Sequence, residues 1–433
     1  MFSVGPWVDS LVRCAISCYV QFKTIADTFV YMDGESREIP CSKSDVFRNK
    51  YLSLLEKRQL MKFFAFCMRP PAELAGELAE YASMPYVEFL TKSGPKSFCP
   101  LGSKLVSFVL HGIAQVGQED SAILTPDGLS RTMQYARAIG RFGPTPYIFP
   151  LYGLSEFPQA FARACAVKGG YYVLRRNLSE YVVDNTGKLS GVVCSVGQSL
   201  TCEHVITTPT YLPSVVTKRI ARCVCITASP LQPDTTNLSV VLPPRTFGHP
   251  YPIDVLQLSQ SLAITTDGYY MIHLSSVMDA DQTAEEVLRP AIAALLNDSV
   301  LTEERTLLKG EDDRPSILSA VFFTLEQRAL EETTREQLPS NLIVCQEFAQ
   351  PSSAWSYGCA LQEAEELFKR LCPDKPFLPE PERRPDDEGE EVEVTADEKK
   401  EAEVTTDEKT PPSAQSESKD PSDSTSVEED QQQ

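Results

Sequence analysis

The chain has 433 residues, 42% of them hydrophobic, and a formal net charge of −20. That length holds two domains and a sizeable core, and the absence of a basic patch interleaved with aromatics argues against a nucleic-acid partner. Residues 380–433 hold 20 acidic against 6 basic side chains, so −14 of the charge lies there and an ordinary −6 remains for the rest.

In chain order, Met1 to Cys18 carries Asp9 and Arg13 and does not read as a signal peptide. No apolar run approaches the roughly 18 residues that cross a bilayer. Ser42 to Asp45 can cap a helical run rich in Leu, Phe, Met, Lys and Glu that extends through Met68. Helical spacing recurs over 72–81, 102–116 and 131–139. A short helix begins at Glu156, with Ser155 as a plausible N-cap and Pro158 tolerated in the first turn. Glu156, Gln159 and Arg163 share one face of it, while Phe157, Phe161, Ala164 and Cys165 fall opposite. The pattern alone leaves that polar row equally consistent with a solvated face.

After Gly169-Gly170 the texture turns to short β runs: 171–174, 180–183, 191–194 and 204–207, with a turn at Asn185-Thr186-Gly187 that favours antiparallel pairing. A further hairpin is expected from 262–265 and 269–274 around Asp267-Gly268. Thr283 to Asn297 reads as an amphipathic helix interrupted only by Pro290, 317–325 and 342–345 as strands, and 355–371 as a closing helix. An α/β part therefore surrounds an inserted helical part. From residue 380 the composition cannot bury enough apolar area to offset ordering entropy, which predicts a disordered acidic tail.

Catalytic patterns are missing. The four histidines, His111, His204, His249 and His273, stand in no HExxH, GxSxG or HxE spacing, and no P-loop or GxGxxG occurs. The thirteen cysteines are dispersed without a CxxC pair, which fits reduced thiols in the cytoplasm better than disulfides or zinc.

One stretch carries a stronger signal. Arg141-Phe142-Gly143, Pro146-Tyr147, Pro150-Leu151-Tyr152-Gly153-Leu154, Glu156, Pro158-Gln159, Phe161, Arg163 and Gly169-Gly170 together resemble the Rab escort protein and Rab GDP-dissociation-inhibitor family. The run Pro40 to Phe47, followed by Glu56-Lys57-Arg58 and Leu60-Met61-Lys62-Phe63, looks like the escort branch. Ala364 to Phe368 with Cys372-Pro373 is a weaker match.

The resemblance implies an α/β, GDI-like two-domain fold related to FAD-linked reductases, with an inserted all-helical domain. Residues 1–44 and 141–378 would form domain I, 45–140 the helical domain II, and 379–433 the tail. A Gly-rich βαβ unit that the family places before this segment is not in the sequence. Its absence leads to the expectation that apolar faces of Leu11, Val12 and Val20 and of the strands at 171–207 stand open.

The implied function is that of a non-catalytic accessory subunit of a protein prenyltransferase. It would bind GDP-bound Rab GTPases, present them to the Rab geranylgeranyltransferase alpha/beta heterodimer, shelter the geranylgeranyl group and deliver the product transiently to membranes, with no cofactor. Arg141, Tyr147, Glu156, Gln159, Arg163 and Val173 match Rab-contacting positions. Phe47 and Arg58 match a transferase-binding pair, about 16 Å apart on one side if their helix is unbroken, although without the resemblance a buried helix residue is the more ordinary role for Phe47. Phe63, Phe66, Val106 and Leu110 are candidate lining for the prenyl chain. The alternatives are a Rab GDP-dissociation inhibitor that recycles prenylated Rabs, or a non-catalytic remnant of a flavin oxidoreductase fold.

Overall fold

The computed structural model describes residues 1–92, 95, 98–116, 123–297, 314–348 and 353–379. The chain opens with helix α1 (Pro6–Arg13) and strands β1 (Phe22–Thr24), β2 (Asp27–Met32) and β3 (Glu35–Glu38). Helices follow: α2 (Lys43–Arg48), α3 (Leu54–Cys67), α4 (Pro71–Leu78), α5 (Tyr86–Thr91), α6 (Ser103–Ser107) with a wider π-type continuation over Phe108–Ile113, and α7 (Thr125–Ala138). Then come β4 (Ile148–Pro150), α8 (Glu156–Val167), β5 (Leu178–Val183), β6 (Leu189–Cys194), β7 (Ser199–Thr201), β8 (Val205–Thr207), β9 (Ser214–Thr227), β10 (Leu238–Leu242), β11 (Ile253–Ser259) and β12 (Tyr270–Met278). The described part ends with α9 (Ala284–Leu295), β13 (Ile317–Leu330), α10 (Glu332–Gln337), β14 (Leu342–Val344) and α11 (Ser353–Leu371).

The single helix expected through Met68 is two helices. Ser42 and Asp45 do form a reciprocal capping box, with backbone-to-side-chain bonds of 3.0 and 3.1 Å. Asn49 then ends the helix, because its Oδ1 accepts from the backbone N–H groups of Tyr51 and Leu52 at 2.9 and 3.1 Å. A second box between Ser53 and Glu56 starts α3.

A seven-stranded sheet, in the order β13-β9-β12-β11-β10-β2-β3, organises the α/β part. Every neighbouring pair is antiparallel except β10 with β2. Strand alternation gives it two apolar faces. Cys223, Cys225, Ile253, Val255, Ile272 and Leu274 point to α9, which returns Val287, Leu288, Ala291 and Ile292. That helix starts at a Thr283–Glu286 capping box and runs through Pro290. From the other face, Val30 and Leu258 join the core of the helical segment with Phe63, Phe66, Leu105 and Leu110.

Three strand expectations need correction. The partner of β12 is β11, and residues 260–262 form a 3-10 turn instead, capped by Ser259 and closed by Ala263 at φ 54°. Strand β8 pairs in parallel with the distant β14. Residues 171–174 form no strand: Tyr171 is 94% exposed, and Arg175 at φ 57° ends the extended run. Leu11 and Val20 are buried in a small core with Ile148 and Phe157, so of the three residues expected to be open only Val12 is exposed. The expected tail from 380 onward lies outside the described residues.

Candidate protein-binding surfaces

A tight turn aims α8. Tyr152 and Gly153 both take positive φ, 65° and 101°, and the helix follows at once. Ser155 occupies the N-cap position without a side-chain cap bond. Phe157 and Ala160 anchor the inner face, with the Phe157 ring edge-on to Trp7 at 5.5 Å. Gln159 and Arg163 are thereby left exposed and Glu156 half-buried. The Arg163 guanidinium lies over the Tyr19 ring at 4.8 Å, a cation–π contact that orients it without neutralising it. Val173 is 62% exposed, beyond the C-terminus of the same helix. Arg141 is exposed as well, over the ring of its neighbour Phe142 at 5.2 Å.

Tyr147 does not belong to this surface. Only 5% exposed, it packs on Phe2 at 4.9 Å and accepts a hydrogen bond of 2.8 Å from Gln115 Nε2. Burial pushes its phenol well above the usual range. The proline-rich wording around it suggests a surface loop, but Tyr147 supports the loop from inside.

The second surface is at the α2–α3 corner. Phe47 is 68% exposed, which excludes the buried-residue reading. Arg58 is exposed too. Because the helix breaks at Asn49, the two side chains sit on separate helices and the three-turn spacing does not apply. The corner is held together: Lys57 Nζ donates to the Phe47 carbonyl at 2.7 Å, tying the end of α2 to the turn of α3 that carries Arg58. Arg48 pairs with Asp45 at 3.0 Å. Sequence reasoning missed two companions, Leu54 and Leu55, at 75% and 68% exposure. The available signal was Ser53 as an N-cap.

Phe63, Phe66, Val106 and Leu110 are all buried in the main core. Phe98 stands edge-on to Phe63 and Phe66, at 6.0 and 5.7 Å. The sequence left them as either cleft lining or the helical part's own core, since both are equally apolar, and the structure places them in the core. An open apolar pocket of about 540 Å³ lies elsewhere, between α4 and α7, with Leu74, Leu78, Leu129 and Met133 in its walls. Among the described residues, no group of three or more His, Cys, Asp or Glu side chains is placed to hold a metal ion.

The family model described as GDP dissociation inhibitor matches residues 1–308. The chain belongs to the GDP dissociation inhibitor family. Within it, Rab proteins geranylgeranyltransferase component A 2 of Mus musculus is 32% identical over 392 residues, and component A 1 of Homo sapiens is 32% identical over 393. Each alignment takes in 88% of this chain, which spans 60% and 57% of the two relatives' own lengths. A guanosine nucleotide diphosphate dissociation inhibitor of Arabidopsis thaliana is 31% identical over 303 residues, covering 67% of this chain and 65% of that protein. The crystal structure of the Rab GDI from Plasmodium falciparum matches with a TM-score of 0.69 at 19% identity, over 87% of this chain and 82% of that one, and carries the fold.

Proposed function

We propose that this GDI-family chain is a Rab escort protein. In this reading it is a non-catalytic accessory component that holds GDP-bound Rab GTPases, presents them to the Rab geranylgeranyltransferase heterodimer and carries the lipidated product to membranes. The carrying observation is the exposed Phe47 on a corner that Lys57 braces, with the exposed Arg58 next to Lys57 on α3. An aromatic that is already out of the core, on a corner whose other helix carries an exposed guanidinium able to pair with a carboxylate, has the make-up of an interface anchor.

Residues 1–44 and 141–378 supply the Rab platform through Arg141, Glu156, Gln159, Arg163 and Val173. Residues 45–140 supply the transferase corner and the lipid shelter. The pocket between α4 and α7 suits an apolar chain better than the closed core around Phe63 does. Among the described residues no helix is long and apolar enough to cross a membrane, and we assign the protein to the cytosol with transient membrane visits.

Pull-down with a GDP-loaded Rab and the transferase tests the assignment. Capture of both by the parent chain, and of Rab alone by Phe47→Ala, is expected. Capture of Rab without the transferase by the parent chain indicates a dissociation inhibitor instead.

A further inference from the structure

The face of the seven-stranded sheet turned away from α9 is not uniformly apolar. Arg222 on β9, Ser275 on β12 and Asp254 on β11 stand on one rung, each paired with the next across the strands. On the adjacent rung of the same face, His273 and Ser239 both pair with Leu256. These polar groups line a cavity of about 360 Å³, whose remaining wall includes Tyr147, Phe149, Leu154 and Ile264.

That size lies within the ~300–1,000 Å³ range of ligand sites, and a few convergent polar groups in an apolar, aromatic pocket are their common composition. Arg222, Asp254 and His273 all keep some accessible surface although protein crowds them, as side chains facing a cavity do. Placing a guanidinium and a carboxyl together in such surroundings is costly, and replacing them with hydrophobic residues is often neutral or stabilising. Burial pushes Asp254 up to about 7, against the pull of Arg222, and pushes His273 down to about 4, with Arg222 adding to the effect. At neutral pH Arg222 is a strong donor, Asp254 lies near its titration midpoint and is a strong acceptor when ionised, and His273 is an uncharged imidazole. Where Asp254 is ionised, its charge offsets that of Arg222 and favours an uncharged ligand.

We propose that this cavity binds a small, uncharged aromatic molecule whose polar edge alternates acceptor and donor, of the cyclic imide or lactam class. Arg222 donates to the carbonyl of that edge and Asp254 accepts its N–H, while the ring body rests on the apolar wall. The cavity is separate from the α2–α3 corner but shares with the first surface the Tyr152–Leu154 turn that aims α8.

Fluorescence titration of the full chain with 1,8-naphthalimide, and with its N-methyl derivative as control, tests this. Saturable binding of the imide at least tenfold tighter than the N-methyl compound is expected, because methylation removes the proton that Asp254 accepts. Asp254→Ala removes that preference. Ser239→Leu fills the cavity without touching the charged groups and abolishes binding, with thermal unfolding confirming that the fold is kept. If Asp254→Ala does not fold, the N-methyl comparison and Ser239→Leu still decide. Equal affinity for the two probes, no saturable binding up to their solubility limit, or parent-like binding by folded Ser239→Leu overturns the proposal and leaves Arg222 and Asp254 as a structural pair.

Discussion

Replacing Phe47 with Ala separates partner binding from folding. Fully burying a Phe side chain contributes ~1.5–3 kcal/mol relative to leaving it exposed. Phe47 leaves 68% of its surface in water in the free chain, so most of that gain is still available to a partner and little of it supports the fold. An expected loss of about 2 kcal/mol on truncation weakens transferase affinity by about 30-fold. Unfolding free energy should move by no more than ~0.5 kcal/mol, as for other surface substitutions. Calorimetric titration of the transferase into the chain bound to GDP-loaded Rab, for parent and variant, measures the first quantity. Denaturant unfolding measures the second. Unchanged affinity, or a stability loss as large as the affinity loss, refutes the reasoning.

Other substitutions probe the remaining parts. Arg163→Glu should weaken Rab binding at least tenfold in a binding titration with little change in the melting temperature, since Arg163 is exposed and held only over Tyr19. Phe63→Ala should destabilise by ~3–5 kcal/mol in denaturant unfolding, as expected for a large core aromatic. The pH dependence of stability should show two opposed contributions. Asp254, raised from 3.8 to about 7, contributes stability present below pH ~4 and lost as pH rises to about 7. His273, lowered from 6.5 to about 4, contributes stability present above pH ~6.5 and lost as pH falls to about 4. Relative to the parent, Asp254→Asn should therefore steepen the rise of stability with pH between about 4 and 6.5. His273→Gln should instead unmask a fall, and identical pH profiles for the three proteins contradict both assignments.

What could be read from the sequence was mostly local. The capping box at Ser42, the amphipathic face of α9 and the β5–β6 turn all depend on residues a few positions apart, whereas on α8 Phe157 is buried as expected but Phe161 and Cys165 are exposed. Pairings over long separations could not be read. Nothing near β8 announces a parallel partner in β14, and nothing in β9 identifies β13, about a hundred positions later, as its neighbour. Spacing alone placed Phe47 and Arg58 on one helix, because the Asn49 side chain that ends α2 looks like any polar helix residue. Tyr147 shows the reverse error, a residue in loop-like wording that the fold turns inward. Arg222, Asp254 and His273 lie on three strands, so no motif spacing could gather them.

The most direct test of the escort assignment is transfer of labelled geranylgeranyl to a GDP-loaded Rab by purified transferase, with and without this chain. The account predicts that incorporation depends on the chain, saturates with it and is lost with Phe47→Ala. A chain that binds the Rab tightly yet leaves incorporation at the background of transferase alone contradicts it.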